Sequence, residues 1–246
     1  MNPFGAEQWQ TLFSDFHDVF LTGFLHTFYF SVCGLILALA IGVVLGVFSV
    51  THNGALRAIA RVYVEFFQNT PLFLQLIFMY NVLPNFGIVL DVIPICILGV
   101  GMYHGAYISE VVRTGIQSVP KGQMEAAMSQ GFTFVQAMRM IVLPQAVKVM
   151  LPMLTNQAVN LVKNTSVTAM IAGGELMYLT DSWVGLYQVY GPGYLMAGML
   201  YFVINFPLVS LTKYLEKRAK RGMVPKRVKR TEKILIKEGV ANGGVL

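Results

Sequence analysis

The chain has 246 residues, of which 55% are hydrophobic and 12% are charged, with a formal net charge of +6. Soluble domains are about 25% charged, so this composition, with a mean hydropathy of +0.60, excludes an ordinary soluble protein and indicates an integral membrane protein. Cys33 and Cys96 lie in apolar runs, with no second metal-ligand residue close to them in the sequence. We therefore expect no metal or other cofactor.

Five apolar stretches are each long enough to cross a bilayer, for which a helix needs about 20 residues. In chain order they are Phe24–Val50, Tyr63–Leu83, Val92–Ile116, Gln145–Ile171 and Tyr194–Tyr214. A Thr70-Pro71 pair interrupts the second stretch, and we expect it to shape the inner mouth of that helix. The pattern predicts an all-α membrane protein with five transmembrane helices.

Small residues recur every four positions on two of these stretches. Ala38, Gly42 and Gly46 share one face of the first, and Gly101 and Gly105 share one face of the third. Such spacing allows helices to approach closely in a membrane. We expect both faces to form helix contacts.

The distribution of Lys and Arg predicts the orientation, because basic residues accumulate in cytoplasmic loops. Of the 18 basic residues, 17 belong to three segments, which are residues 51–71, 113–148 and 213–246. We assign these segments to the cytoplasm. The segments without Lys or Arg then lie outside the cell; they are the N-terminal segment and residues 84–91 and 172–193. The N-terminus is therefore expected outside and the C-terminus in the cytoplasm.

The expected organisation has three parts. An external segment comprises residues 1–23, a transmembrane domain residues 24–215, and a basic cytoplasmic tail residues 216–246. The tail is expected to lie against anionic lipid head groups. Nucleic-acid binding is the alternative, but the tail follows a span directly and has no aromatic residue between its charges, so we expect no nucleic-acid partner.

A cytoplasmic segment at about residues 117–144 carries clear helix signals. Glu125 is expected in the first turn of a short helix that Gly131 ends, because glycine adopts the left-handed conformation readily. Thr133 and Gln136 have the spacing of a capping box, which predicts a second short helix closed by Pro144. The segment is either an ordinary connection between two spans or a docking helix.

Four sequence motifs resemble those of the permease subunits of ATP-binding-cassette importers. Glu125-Ala126-Ala127, Gly131 and Ile141-Val142-Leu143-Pro144 are similar to the EAA loop of that family. The stretches VEFFQNTPLFLQ, AYISEVVRTGIQSVPKGQ and NLVKNTSV, at residues 64–75, 106–123 and 160–167, are similar to motifs of its polar amino acid subfamily. The resemblance covers roughly residues 20–215.

The resemblance implies a type I importer permease fold in a bacterial cytoplasmic membrane. It also implies four partners, namely a separate ATPase subunit, a second permease subunit that is identical or a sister chain, an external solute-binding protein and an amino-acid substrate. The family's coupling role falls on Glu125, Ala126, Ala127 and Gly131 in this sequence. The chain has no Gly-Lys dipeptide and hence no P-loop, so ATP hydrolysis is expected on the partner and not on this subunit.

The fourth apolar stretch carries an unusual polar stripe. Asn156, Asn160 and Asn164 recur every four residues, and Gln157 lies one position round the helix. Polar groups at membrane depth generally face a partner or a cavity. The stripe serves either interhelical hydrogen bonds or an amino-acid pocket, for which Gln157 and Asn160 are the better candidates.

Two further residues could bind substrate. Lys163 would attract a carboxylate, or it bonds structurally to Glu110, a helix end or a backbone carbonyl. His104 in the third stretch could donate to a substrate side chain, or it is a packing residue. Glu110 and Arg113 are three residues apart and are expected to pair with each other.

The sequence is compatible with three functions, which it supports to different degrees. The leading one is ATP-driven import of a polar amino acid, with glutamate, aspartate or glutamine favoured because the stripe contains no acid. A self-contained channel or secondary transporter is the alternative. A membrane-embedded enzyme has less support, since only Glu110 and Arg113 resemble a reactive pair.

Overall fold

A computed structural model describes residues 4–223, with side chains as far as residue 218. Every regular element in this part of the chain is helical. In chain order the α-helices are α1 (Ala6–Ser14), α2 (Thr22–Val50), α3 (Gly54–Asn69), α4 (Leu72–Ile77), α5 (Val92–Gln117), α6 (Lys121–Ser129), α7 (Phe134–Ala137), α8 (Leu143–Asn164), α9 (Leu176–Tyr187) and α10 (Tyr190–Met223). Short π- and 3-10-helical turns join several of them, at Phe16–Leu21, Phe78–Val82, Leu83–Phe86, Met138–Val142 and Thr165–Ile171.

Four continuous helical segments of the described chain are long and apolar enough to cross a membrane. They are Phe16–Val50, Val92–Gln117, Phe134–Ile171 and Tyr190–Arg218. They contain the first, third, fourth and fifth stretches expected from the sequence. Each of the four helices therefore stands where the apolar pattern predicts one.

The second expected stretch is not a continuous helix. α3 ends at Asn69, Thr70 is extended with φ −112° and ψ 135°, and Pro71 precedes α4. Proline has no backbone N–H and disfavours helical geometry in the residue before it. The Thr70-Pro71 pair therefore breaks the stretch into two helices, and its role in shaping the inner mouth of the second span stays a prediction.

The break is stabilised by a buried glutamine. Nε2 of Gln75 donates to the carbonyl oxygens of Phe67 and Thr70, at 3.2 and 3.1 Å, and to Oγ1 of Thr70 at 2.8 Å. Carbonyls at a helix C-terminus have no intrahelical partner. Gln75 supplies a donor to them, so the break has hydrogen-bond partners within the protein.

α2 and α5 run parallel and form the main helix contact. Gly42 lies against Ile108 and Gly46 against Val112, while Gly101 faces Leu37 of α2. A Cβ atom at any of these glycines would overlap the side chain opposite it. The close packing expected of the small-residue faces is confirmed.

The N-terminal segment packs on α9 and α10. Phe20 and Trp183 are both buried, with their rings 5.4 Å apart in an edge-to-face arrangement. Nε1 of Trp183 also donates to Oδ2 of Asp15 at 2.8 Å. The segment before the first span is thus fixed to the segment that links α8 to α10.

Two of the expected parts of the chain are described only in part. Residues 1–3 of the external segment and residues 224–246 of the tail lie outside the described residues. The part of the tail that is described continues α10 as far as Met223. The association of the tail with lipid stays a prediction.

Candidate functional site

The end of the short helix α6 has the geometry expected from its glycine. Gly131 has φ 87°, in the left-handed region that favours glycine. Its N–H donates to the carbonyl of Met128 at 3.0 Å, and the N–H of Phe132 donates to that of Ala127 at 3.2 Å. These two bonds form a Schellman motif. The prediction that Gly131 ends the helix is confirmed.

The next turn also agrees with its sequence signal. Oγ1 of Thr133 accepts from the N–H of Gln136 at 3.3 Å, and Oε1 of Gln136 accepts from the N–H of Thr133 at 2.9 Å. The capping box is therefore confirmed, but the helix that it starts does not end at Pro144. It continues through a π-helical turn into α8, whose second residue is Pro144, so the regular α-helical hydrogen-bond pattern is already interrupted just before the proline.

Glu125 and its neighbours present an exposed surface. α6 begins at Lys121, so Glu125 is its fifth residue and not in its first turn, as the sequence analysis expected. Glu125 and Ala126 are exposed, whereas Ala127 is buried against the rest of the segment. The Glu125 carboxylate has no hydrogen bond or ion pair with any described residue.

Large apolar side chains surround these residues. Met128, Phe134, Val135 and Met140 are each at least half exposed. The segment at residues 117–144 thus presents exposed apolar side chains together with an unpaired carboxylate. An exposed apolar patch of this kind is typical of a protein–protein contact.

The five residues expected to bind substrate lie together. A cavity of about 240 Å³ is lined by seven side chains of α5 and α8, namely Tyr103, His104, Tyr107, Gln157, Asn160, Lys163 and Asn164. We call it the amide cavity. All five candidates, Gln157, Asn160, His104, Lys163 and Asn164, are among the seven.

The sequence analysis missed two lining residues. Tyr103 and Tyr107 stand one turn apart on α5, and their hydroxyl groups lie 3.1 Å from each other. The sequence signal that could have predicted them is their position on either side of His104 in the third stretch. In contrast, Asn156 belongs to the sequence stripe but is exposed and does not line the cavity.

His104 is the buried residue of the cavity wall. It is 2% exposed, and Nδ2 of Asn164 lies 3.1 Å from its Nε2. Its Nδ1 is buried and has no hydrogen-bond partner within the described chain. His104 therefore joins α5 to α8 through Asn164.

Lys163 provides the charge of the amide cavity. Its side chain is exposed in the single chain, and its ammonium group has no hydrogen bond or ion pair with any described residue. No carboxylate lines the cavity. The arrangement offers one cation together with several amide and hydroxyl groups, which suits a small ligand that has one carboxylate and further polar groups.

Glu110, one of the structural partners expected for Lys163, does not bond to it. Glu110 is paired instead with Arg113, whose Nη2 lies 2.6 Å from Oε2 and whose Nε lies 3.0 Å from Oε1. The predicted pair is confirmed. It lines a second cavity, nearer the end of α5.

Comparison with protein families gives one match that spans most of the chain. The model described as "Binding-protein-dependent transport system inner membrane component" matches residues 19–221. The matched residues include both the 117–144 segment and the walls of the amide cavity.

Curated relatives of known name are similar over nearly their whole length. The chain is 41% identical over 211 residues, which are 86% of it, to the "Probable glutamine ABC transporter permease protein GlnM" of Bacillus subtilis, and these residues cover 97% of that protein. It is 34% identical to GlnP of the same organism, over 84% of this chain and 96% of that one. It is 30% identical to the "Arginine transport system permease protein ArgU" of Corynebacterium glutamicum, over 88% of this chain and 73% of that one.

Solved structures give the same result for the fold. An amino acid ABC transporter crystallised with histidines has a TM-score of 0.78 and 27% identity, and the match covers 84% of this chain and 96% of that one. The MetNI methionine ABC transporter in an inward-facing conformation has a TM-score of 0.65 and 19% identity, over 80% of this chain and 96% of that one. The second likeness concerns the fold alone.

Proposed function

Because the chain belongs to the family of inner membrane components of binding-protein-dependent transport systems, we propose that it is the membrane permease subunit of an ATP-driven importer for glutamine. As a member of this family the chain is a multi-pass transport subunit and not an enzyme. The relatives GlnM and GlnP are named for glutamine transport, which supports this substrate over the arginine named for ArgU.

The proposed topology has five crossings, with the N-terminus outside and the C-terminus in the cytoplasm. Four crossings are the long apolar helices, and the fifth consists of α3 and the broken segment that follows it, which returns the chain across the membrane between α2 and α5. The parallel contact of α2 and α5 supports this count, since two parallel helices need a crossing between them. The basic segments then lie in the cytoplasm.

The 117–144 segment is the proposed contact with the ATPase. Its exposed apolar side chains and the free carboxylate of Glu125 fit a docking surface. Glu125, Ala126, Ala127 and Gly131 would form the docked helix and its end. Nucleotide binding closes the ATPases, the docked helices move with them, and the spans change from outward to inward access. A second permease subunit and an external solute-binding protein complete the transporter.

The amide cavity is the single observation that carries the substrate proposal. Lys163 provides the positive charge for the α-carboxylate of an amino acid. Gln157, Asn160 and Asn164 provide donors and acceptors that complement a side-chain amide. A second carboxylate, as in glutamate or aspartate, would find no second cation, so glutamine fits best among the three substrates that the sequence favoured.

The α-ammonium group has no carboxylate to bind in this cavity. The rings and hydroxyl oxygens of Tyr103 and Tyr107 are suited to it, since an aromatic face attracts a cation and a phenol oxygen accepts a hydrogen bond. An amino acid with a basic side chain would add a second positive charge beside Lys163. Repulsion then selects against arginine.

The test is uptake by the reconstituted transporter. The permease is placed in vesicles with its ATPase and solute-binding partners, and uptake of labelled glutamine is measured with an excess of unlabelled glutamate, aspartate or arginine. Uptake should require ATP and should be reduced most by unlabelled glutamine. Uptake by the permease alone without ATP would instead identify a self-contained transporter, and stronger competition by arginine would overturn the substrate.

A further inference from the structure

A second cavity lies between the ends of α2, α3 and α5. It has a volume of about 430 Å³, and five of its lining side chains are charged, namely Arg57, Arg61, Glu65, Glu110 and Arg113. We call it the arginine cavity. Small-ligand sites in proteins have volumes of about 300–1,000 Å³, so this cavity is large enough for a metabolite.

Two of the five charges neutralise each other. Arg113 forms a bidentate pair with Glu110, and its Nη1 also donates to Oε1 of Gln117 at 2.9 Å. The pair is one-third exposed on each side and stays within α5. It forms one fixed wall of the cavity.

The remaining three charges, all on α3, are unpaired. Arg57 makes one long bond, from Nη1 to the carbonyl of Thr51 at 3.4 Å. The side-chain charges of Arg61 and Glu65 have no hydrogen bond or ion pair with any described residue, although the two residues stand one helical turn apart. Cations and an anion therefore face the same cavity without neutralising each other.

α3 is held against α5 by bonds that do not involve these charges. The hydroxyl of Tyr63 donates to the carbonyl of Met102 at 2.9 Å, and Nε2 of Gln68 donates to that of Ala106 at 3.4 Å. The cavity walls are thus fixed by neighbouring side chains. The arginines and Glu65 remain available to a ligand.

A free α-amino acid has a carboxylate and an ammonium group, which are the partners that the unpaired arginines and Glu65 lack. Arginine binds a carboxylate through two parallel hydrogen bonds, and a glutamate binds an ammonium group. Arg57 and Arg61 could share the carboxylate, while Glu65 accepts from the ammonium. Three arginines against two glutamates leave one positive charge, which favours a ligand with an extra carboxylate.

We propose that the arginine cavity is a second amino-acid site, separate from the amide cavity. It binds acidic amino acids more tightly than neutral ones, and neutral ones more tightly than basic ones. The proposal rests on the proposed function for its orientation, because the basic segments place this cavity on the cytoplasmic side. A ligand there bridges α3 and α5 and stabilises the arrangement in which it is bound. Amino acid that accumulates inside the cell therefore slows further import.

Equilibrium binding to the purified permease dimer tests the site directly. Lys163→Gln weakens binding at the amide cavity, so binding of labelled glutamate that keeps its affinity in this variant reports on the second site. Adding Arg61→Gln or Glu65→Gln to Lys163→Gln should weaken this binding about tenfold, as expected when a charged hydrogen bond is lost. Adding Lys148→Gln or Glu216→Gln, which change exposed charges away from the cavity, should leave it unchanged. Equal binding in all the double variants would overturn the site.

Uptake by the complete transporter tests the consequence. Glutamate, glutamine or lysine is placed on the ATP-containing side of the membrane. For each variant, uptake of labelled glutamine with this amino acid is compared with uptake by the same variant without it. Inhibition should follow the order glutamate, glutamine, lysine, and should need about tenfold more amino acid in Arg61→Gln and Glu65→Gln. If Arg61→Gln, Glu65→Gln and Lys148→Gln all need the same concentration of amino acid for inhibition, the proposal is overturned, but the import function is not. Absence of ATP-dependent uptake would instead refute the import function, and the binding experiment would still decide on the site.

Discussion

Nδ2 of Asn164 lies 3.1 Å from Nε2 of His104, and this contact joins α8 to α5 in the wall of the amide cavity. An amide nitrogen donates, so Nε2 accepts and the neutral imidazole carries its proton on Nδ1. The contact thus requires an uncharged His104. It also fixes the orientation of the Asn164 amide, whose oxygen remains free to accept from a ligand.

Asn164→Leu should weaken glutamine binding about tenfold, since it removes an amide from the cavity and leaves Nε2 of His104 without a donor, a loss of about 1–3 kcal/mol. The measurement is the dissociation constant of glutamine for the purified permease. Asn156→Leu is the matched control, because Asn156 belongs to the same helix but does not line the cavity. Equal effects of the two substitutions would contradict the proposed site.

Lys163→Gln should weaken glutamine binding about 10- to 100-fold, because a hydrogen bond to a charged group contributes about 1.5–3 kcal/mol. The dimer should still assemble, since the ammonium group of Lys163 forms no hydrogen bond or ion pair with any described residue. Size-exclusion chromatography and titration of the same sample separate the two effects. Lys148→Gln removes a charge from the same helix outside the cavity, and wild-type affinity is expected for it.

Glu125→Lys should abolish co-purification of the ATPase and ATP-dependent uptake. The substitution reverses an exposed charge in the segment that carries the exposed apolar side chains, while α6 keeps its end at Gly131. Membrane insertion should be unchanged, because the side chain contacts no described residue. Glu216→Lys, at an exposed position of α10, is the control. Normal uptake in the Glu125 variant would rule out docking at this surface.

Glu175 makes stability depend on pH. The residue is fully buried at the N-terminus of α9, outside the candidate spans, and accepts from the N–H groups of Met177 and Tyr178 and from the hydroxyl of Tyr201. Burial raises the pKa of its carboxyl above the ordinary value, although the three donors oppose the shift. The folded protein therefore binds the proton more tightly than the unfolded chain.

The sign of the effect follows from this difference. The stabilisation is complete below the unfolded pKa of about 4.3 and is lost as pH rises through the higher folded value. Glu175→Gln should flatten this part of the profile of unfolding midpoint against pH, whereas Asp91→Asn should not. A profile that falls equally steeply in the Glu175 variant would assign the dependence to another group.

Much of the fold was accessible from the sequence because its signals are local. Runs of apolar residues predicted the long helices, and Gly131 and Thr133 predicted the turns around α7. The consequence of Pro71 was misjudged, since a proline within an apolar stretch can bend or break a helix, and Gln75 decides the outcome through contacts that folding creates. Pro144 was misjudged for a similar reason, because the same residue can end a helix or occupy its first turn.

The amide cavity was predicted in part. The periodic asparagines indicated one face of α8, but Asn156 shares that periodicity and lies outside the cavity. Tyr103 and Tyr107 became visible only when α5 was placed beside α8. The arginine cavity was not anticipated, because Arg61 on α3 and Glu110 on α5 are brought near each other by tertiary packing, which no short-range pattern encodes.

The glycine contact between α2 and α5 has a mechanical consequence. Side chains on each helix fill the spaces that glycines leave on the other, so the two cannot slide or rotate independently without steric overlap. They must tilt as a single lever, and the end of α5 at Gln117 leads into α6. When this lever tilts relative to α3 and α4, the change in angle is taken up at Thr70 and Pro71. The backbone there already departs from helical geometry, so it can act as a pivot.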